Sequence, residues 1–450
     1  MSINAPHILF VNPWIHDFAA FDFWARPLGL LQLVSIVRSH GFKVSYIDCL
    51  NRFHPNDRRK NKIHRHGRGP YIKTEISKPS ALKQISRKFS RYGIHPEWMI
   101  QDLKSIDRPD IIMLTSFMTY WYTGVQETIE CIRSVYKDVP VVVGGIYVRL
   151  WQEHAQKNID ADWLESEPGE QTIFSIIEQF TGVRTKLHHD PMDINSLPYP
   201  AWDLQDAIPF IPILTTRGCP FRCSYCASGF LEPEIRRRFI QPVVDEILYW
   251  HQKNNVCDFV FYDDAFLYQS ESYAIPFLER IVEKKLPLRF HTPNAIHIRE
   301  INQTNADLMF KAGFKNLRMG LETTDFNNRM DQKLTYKEFE KAISYLKTAG
   351  FRKDDMGAYL LIGLPGQQRQ SIIESIDLVN KTGIMPILAY YTPIPHTKLW
   401  SKAIEMSSVN ISEDPLLTNN TIFPCQKNGF DWNLLSELKQ HINQHQYNSR

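Results

Sequence analysis

No hydrophobic run in this chain reaches the roughly 18 to 20 apolar residues that a bilayer crossing takes. The opening stretch MSINAPHILFVNP has neither a basic leader nor a secretory cleavage pattern. Both absences argue against a spanning or exported protein, and the chain reads as cytoplasmic with no membrane partner. Cysteine is scarce as well. The 7 cysteines, at 49, 131, 219, 223, 226, 257 and 425, are an odd number, a poor disulfide framework better suited to a reducing compartment. Charge of one sign is lacking too: a net +3 is too small to argue for nucleic acid as a partner. With 43% hydrophobic and 22% charged residues in 450, the chain is not a disordered one, and it is long enough for two domains.

Along residues 1–180, short β-rich apolar runs alternate with helical stretches: HILFVNP (7–13), a helix near 28–39 ended by Gly41, FKVSYIDC (42–49), IIMLTSF (111–117), VPVVVGG (139–145) and ADWLESE (161–167). Runs apolar on both faces suit strands covered by helices on both sides, so a Rossmann-like (flavodoxin-like) doubly wound parallel sheet is expected. Residues 51–92 interrupt this rhythm with 13 Lys/Arg against Asp57 and Glu75. They read as a solvated basic insertion, with an arm for an anionic partner as the sharper alternative. Residues 181–209, rich in proline, read as a linker. Residues 210–400 then repeat strand and helix six times, from FIPILTTRG (210–218) to MPILAYYTP (385–393). That count predicts a partial (β/α)6 TIM-type barrel, whose chemistry belongs at the C-terminal mouth of its strands. The remainder, 401–450, reads as a tail packed on the barrel with a mobile end.

The one dense cysteine feature is TTRGCPFRCSYCASG, residues 215–229, which sets Cys219, Cys223 and Cys226 in the loop after the first barrel strand. Three thiolates at this spacing can face one metal centre. Structural zinc usually takes four protein ligands, commonly two separated pairs, and only one CxxC is present here. A 4Fe-4S cluster held by three thiolates keeps one iron without a protein ligand, open to a substrate or cofactor. The spacing suits the cluster better, with zinc or an inert cysteine group as alternatives. The other four cysteines read as small core hydrophobes.

CxxxCxxC with an aromatic residue before its third cysteine resembles the signature of the radical S-adenosylmethionine (SAM) enzymes, and CPFRCSYC is a close match. The resemblance covers about 211–400 and implies that the three cysteines hold a 4Fe-4S cluster whose open iron chelates SAM. Reductive cleavage would then give a 5′-deoxyadenosyl radical. It further implies that Asp263 and Asp264 in FYDDAF meet the SAM amino group and that Glu322 accepts from the ribose hydroxyls. Asn294 would lie at the same rim, Gly363 in LIGLPGQ would let backbone approach the adenine, and Tyr225 would pack on that ring. No residue is assigned to the step after radical formation. In TPIPHT, His396 stands where relatives commonly carry glycine.

The run TPNAIHIREINQTNADLMFKAGFKNLRMGLET is similar to the subgroup with a cobalamin-binding-like domain ahead of the barrel. The N-terminal part resembles that fold in its strand rhythm and in SFMTYWYTG and VVVGG. No DxHxxG segment supplies a histidine for cobalt, and His16 in WIHDFAA lacks that context, although members of the subgroup can hold cobalamin without one. The resemblance thus implies a radical SAM enzyme with cobalamin as a possible second cofactor, methylating an unactivated carbon. Without cobalamin, oxidation, cyclisation or rearrangement of a small molecule is the alternative; a non-catalytic iron-sulfur redox or binding protein is the rival from another class. Partners would be an external one-electron reductant of flavodoxin or ferredoxin type and a small-molecule or peptide substrate. Eight aromatics, Trp14, Phe18, Phe21, Phe23, Trp24, Tyr120, Trp121 and Tyr122, are expected to face a corrin, a flat substrate or a domain interface.

Overall fold

The computed structural model describes residues 5–329, 331, 334–426 and 432–447. It divides into two units, residues 1–209 with 413–417, and 210–412 with 418–450. In the first, five parallel strands run in chain order: β1 (His7–Asn12), β2 (Lys43–Asp48), β3 (Ile111–Leu114), β4 (Val141–Val143) and β5 (Trp163–Leu164). Their order in the sheet is β2-β1-β3-β4-β5, the flavodoxin-like order of a doubly wound fold. The apolar run of β1 is buried along its whole length, and Ile111–Leu114 and Val141–Val143 likewise. That is why these strands show no alternation in sequence.

Residues 51–92 are not the solvated insertion expected. Lys73–Glu75 and Ser90–Tyr92 pair antiparallel and extend onto Ile15–Asp17 in a small three-stranded sheet. Leu82, Phe89 and Tyr92 are buried. Part of the charge that made the segment look solvated is met by acids and rings within it and in the rest of its unit. Arg52, 1% exposed, donates from Nε to Asp22 at 2.8 Å and from Nη2 to the Gly67 carbonyl at 2.6 Å. Arg59 and Lys62 face Asp57, Lys88 faces Glu75, and Arg91 faces Glu127. Arg87 and Arg68 lie over the rings of Phe18 and Trp24, where a cation meets the negative face of the π system.

The proline-rich stretch after residue 181 is docked along the helix Leu28–Ser39. Gln32 donates to the Pro198 carbonyl and Ser35 to the Tyr199 carbonyl, each at 2.6 Å, and Trp202 is fully buried.

The second unit carries six further parallel strands: β6 (Ile211–Ile213), β7 (Asp258–Phe261), β8 (Arg289–His291), β9 (Phe314–Glu322), β10 (Met356–Ile362) and β11 (Met385–Tyr390). They lie in sequential order across one sheet, with helices between them, as repeated right-handed βα units dictate. Local chemistry sets the helix ends. Thr335 and Glu338 form a capping box at the start of the helix Tyr336–Ala349, and Gly350 ends it at φ 110°, a left-handed turn that glycine takes without a Cβ penalty. Phe259, Phe261, Phe290 and Phe314, at most 2% exposed, form an aromatic core across β7, β8 and β9, with Phe261 and Phe314 stacked at 5.6 Å.

A polar chain links β7, β8 and β9 by hydrogen bonds. His291 Nε2 meets Asp258 at 2.8 Å, Asn316 meets His291 Nδ1 at 3.1 Å, and Arg289 Nε donates to Asp258 at 2.9 Å. Beyond β11 the chain adds the helices Trp400–Met406 and Trp432–Tyr447. The latter is tied to the helix Arg369–Lys381 by His441 to Asp377 at 2.6 Å and by Glu437 to Arg369. The expected mobile end includes 448–450, outside the described residues. Among the described residues no helix is long and apolar enough to cross a membrane.

Candidate active site at the mouth of the barrel

The cysteine loop leaves the sheet just after β6. Thr216–Arg217 pairs antiparallel with Arg236–Arg237, so the intervening residues form a closed excursion at the C-terminal ends of the strands. Gly218 opens it at φ +81°, and a Cβ there would fall 2.4 Å from the Glu234 carbonyl oxygen. Only glycine fits that approach. Inside the loop, Arg222 donates to the Cys219 carbonyl at 2.9 Å and the Cys226 amide to the Cys223 carbonyl at 3.2 Å. The Ser228 amide points at the Cys226 sulfur at 3.4 Å. Exposure rises along the loop: Cys219 is buried, Cys223 half-buried and Cys226 exposed, and none of the seven cysteines is in a disulfide. Burial pushes the Cys219 thiol up to about 11, with Asp264, Cys223 and Cys226 adding to the rise.

Cys219, Cys223 and Cys226 share one short loop, and the charges of Cys223 and Cys226 are felt at the Cys219 thiol; three protein thiolates suit a polynuclear centre that keeps one iron open.

The structure separates the acidic pair of FYDDAF. Asp263 is 3% exposed and accepts from the Thr215 amide at 3.1 Å and from the Thr215 hydroxyl. Burial raises its carboxyl to about 7 against these bonds. It therefore ties the end of β6 to the end of β7, and its oxygens are already engaged. Asp264 instead borders the cysteine loop: burial raises it, and a hydrogen bond from Ser228 opposes the rise. Asn294 is exposed and donates to the Tyr262 carbonyl at 2.8 Å, linking the loops after β7 and β8.

Glu322 ends β9 at φ +64°, where the pairing with β10 slips out of register. Such a conformation is uncommon for a residue with a Cβ and marks a position held by its surroundings. Tyr225 lies close by, its phenol held strongly towards the neutral form by burial and by the charge of Glu322. Its hydroxyl donates to Asp331 at 3.3 Å, and Asp331 is held by Arg329 through bonds of 2.9 and 3.0 Å. Gly363, at φ +86°, donates its amide to Gln367 Oε1 at 2.9 Å, and Phe423 lies 2.8 Å from where a Cβ would be.

His396 adopts φ +65°, a left-handed conformation that glycine takes without a Cβ penalty. Its ring stacks on Phe230 at 4.1 Å, beside the cysteine loop. Sequence reasoning assigned no role to His297. The structure puts its Nε2 3.7 Å from the Cys219 sulfur. Nor did the sequence single out the Arg329–Asp331 pair behind Tyr225. Nothing in either stretch signals the contact without the fold.

Residues 213–379 match the family described as the Radical SAM superfamily. The barrel is a radical SAM domain. An uncharacterised methyltransferase of Pyrococcus horikoshii is 23% identical over 332 residues, 67% of this chain and 71% of that protein. The cytidylyl-2-hydroxyethylphosphonate methyltransferase of Streptomyces wedmorensis is 20% identical over 476 residues, covering 90% and 83%. Among solved structures, the radical SAM methyltransferase TsrM of Kitasatospora setae, with cobalamin and a 4Fe-4S cluster bound, superposes at a TM-score of 0.64. It shares 16% identity over 90% of this chain and 75% of that one. The radical SAM fold and its preceding flavodoxin-like sheet are thus both within the likeness.

Within the first unit, a small apolar cavity of about 40 Å³ lies at the C-terminal ends of β1 and β3, lined by Asn12, Trp14, Ser116, Trp121 and Tyr122 among others. That is the topological switch point of the sheet. Trp14, Phe18, Trp24, Tyr120 and Tyr122 are buried there or nearby, whereas Phe23 is 60% exposed. Most of the expected aromatic rim is therefore core. The His16 ring has both nitrogens engaged, Nδ1 with Thr123 at 3.1 Å and Nε2 with Glu127 at 2.6 Å, and among the described residues no histidine lines the cavity.

Proposed function

We propose that this protein is a radical SAM enzyme that binds a 4Fe-4S cluster through Cys219, Cys223 and Cys226, cleaves SAM reductively, and methylates an unactivated carbon with cobalamin as second cofactor. One observation carries the core of this reading: three unbridged cysteines, Cys219, Cys223 and Cys226, on one short loop at the C-terminal mouth of a six-stranded parallel sheet. Bound there, the cluster supplies the electron and the open iron that together turn SAM into a source of the 5′-deoxyadenosyl radical.

The chain's own residues have separable tasks. Gly218 lets the backbone turn tightly enough to present Cys219. Asp264, at the loop's edge, is the carboxylate placed to receive the SAM ammonium as a charge-assisted hydrogen bond. Glu322 accepts from the ribose hydroxyls, and Tyr225 and the Gly363 turn border the adenine. Asn294 braces the rim through the Tyr262 carbonyl. Asp263 contributes indirectly, by fixing Thr215 and with it the root of the loop. A one-electron reductant of flavodoxin or ferredoxin type is the partner such chemistry requires, with a small molecule as substrate.

The methylation reading draws on the two methyltransferases above and on the cobalamin in the TsrM structure. A second reading, oxidation or cyclisation without cobalamin, is favoured by the engaged His16, whose two ring nitrogens are both already bonded. Anaerobic reconstitution with iron and sulfide, followed by SAM and a strong reductant, should yield 5′-deoxyadenosine in the wild type and none in Cys223→Ala. Product in that variant at the wild-type rate would remove the ligand assignment. A corrin absorbance band in protein made with cobalamin decides between the two readings.

A further inference from the structure

The Ser228 amide donates toward the Cys226 sulfur, and the His297 imidazole nitrogen faces the Cys219 sulfur from outside the CxxxCxxC segment. The second is the more consequential because Cys219 is the most buried of the three. Within a low-dielectric interior a hydrogen bond to charge is stronger than at the surface.

His297 is not loosely placed. Its predecessor Ile296 bridges to β9, donating to the Arg318 carbonyl at 2.8 Å and accepting from the Gly320 amide at 3.2 Å. Its own carbonyl accepts from Glu300 at 3.1 Å at the head of the turn Ile298–Glu300. On the other side the imidazole lies against Phe221 of the cysteine loop, ring centres 4.1 Å apart. Backbone and ring are thus both fixed, and Nε2 is left facing sulfur.

We propose that His297 is a positioning residue for the cluster: its Nε2–H donates to the Cys219 sulfur and shifts the one-electron equilibrium of the centre toward the reduced state. The proposal rests on the cluster-binding reading above. A sulfur that ligates iron can only accept, so the ring nitrogen facing it must carry the hydrogen. Reduction adds negative charge that the thiolate ligands share. The bond therefore strengthens on reduction, and hydrogen bonds to the sulfurs are among the determinants of cluster potential.

The test uses the full chain as wild type, His297→Leu and His297→Gln, each reconstituted with iron and sulfide without oxygen and titrated electrochemically at one pH with paramagnetic resonance as readout. His297→Leu keeps bulk against Phe221 and removes the donor. It should raise the ratio of oxidised to reduced cluster at a fixed ambient potential about tenfold, which is ~59 mV for one electron. His297→Gln, which keeps an N–H, should recover part of that shift.

Equal midpoints in wild type and His297→Leu, at equal iron content, would overturn the proposal. So would variants that fold by circular dichroism but hold no iron, since His297 would then build the loop rather than tune the centre. Wild-type protein that assembles no 4Fe-4S signal would instead take down the reading beneath it.

Discussion

Gly218 and Gly366 offer a matched pair for testing whether backbone geometry delivers the cysteines. Both are left-handed, at φ +81° and +76°, and both sit in loops at the barrel mouth. They differ in space. A Cβ on Gly366 would meet nothing within 4 Å, whereas on Gly218 it would lie 2.4 Å from the Glu234 carbonyl oxygen and 3.2 Å from that of Glu232. Those are backbone atoms anchored by the pairing of Arg217 with Arg236, so they cannot swing aside as a side-chain tip would. Gly366→Ala should cost only the left-handed penalty of about 1–2 kcal/mol. Gly218→Ala adds overpacking of about 1–3 kcal/mol, for a total of roughly 2–5 kcal/mol.

Near 2–4 °C per kcal/mol for a unit of this size, thermal unfolding should rank wild type, Gly366→Ala, Gly218→Ala in falling order. Iron and sulfide per chain after reconstitution should fall in Gly218→Ala alone, because relief of the clash must push residue 219 out of place. If Gly218→Ala melts with Gly366→Ala and keeps a full complement of iron, the steric reasoning about this loop is wrong.

The acidic pair predicts opposite phenotypes. Asp264→Asn should raise the KM for SAM roughly 10- to 100-fold, the worth of a hydrogen bond to charge, with Glu322→Gln in the same direction. Steady-state formation of 5′-deoxyadenosine measures both. Asp263 should show itself in stability instead. Its carboxyl is raised in the folded state to about 7 from 3.8, so the native protein holds the extra proton. Its contribution is greatest below pH 3.8 and is lost as pH rises through 7. The unfolding free energy of Asp263→Asn relative to wild type, from urea titrations, should therefore improve by about 3 kcal/mol between pH 5 and pH 8; a pH-independent difference contradicts the assignment. Asp258→Leu, which removes the carboxylate facing Nε2 of the buried His291, should destabilise by ~3 kcal/mol with no effect on KM. Arg52→Ala should open residues 53–69 to limited proteolysis, since the guanidinium bonded to Asp22 and the Gly67 carbonyl is what closes that stretch.

Strand rhythm and the cysteine spacing made both sheets and the cysteine loop legible in sequence, because parallel strands buried on both faces and metal-binding loops each leave a local signature. What stayed illegible depends on direction. Asp263 and Asp264 are adjacent and chemically identical in sequence, yet one turns inward to Thr215 and the other borders the cysteine loop. The basic stretch 51–92 misled because a count of charges does not reveal that Asp22, Asp57 and Glu127 stand opposite them. His297 lies 78 positions from Cys219, and no periodicity reports a contact made only when successive strands stack.

The cysteine loop also touches the far edge of its own sheet. In the order of the six strands, β6 and β11 are the two outermost members, yet the Leu399 amide, beyond β11, donates to the Ser224 carbonyl at 2.9 Å, and His396 lies flat on Phe230. An incomplete barrel is thus fastened across its gap by the very segment that would receive iron. Filling that segment should tighten the clasp and slow amide exchange around residues 396–400, remote in sequence from any thiol, so the occupancy of the centre would be written into the rigidity of the opposite rim.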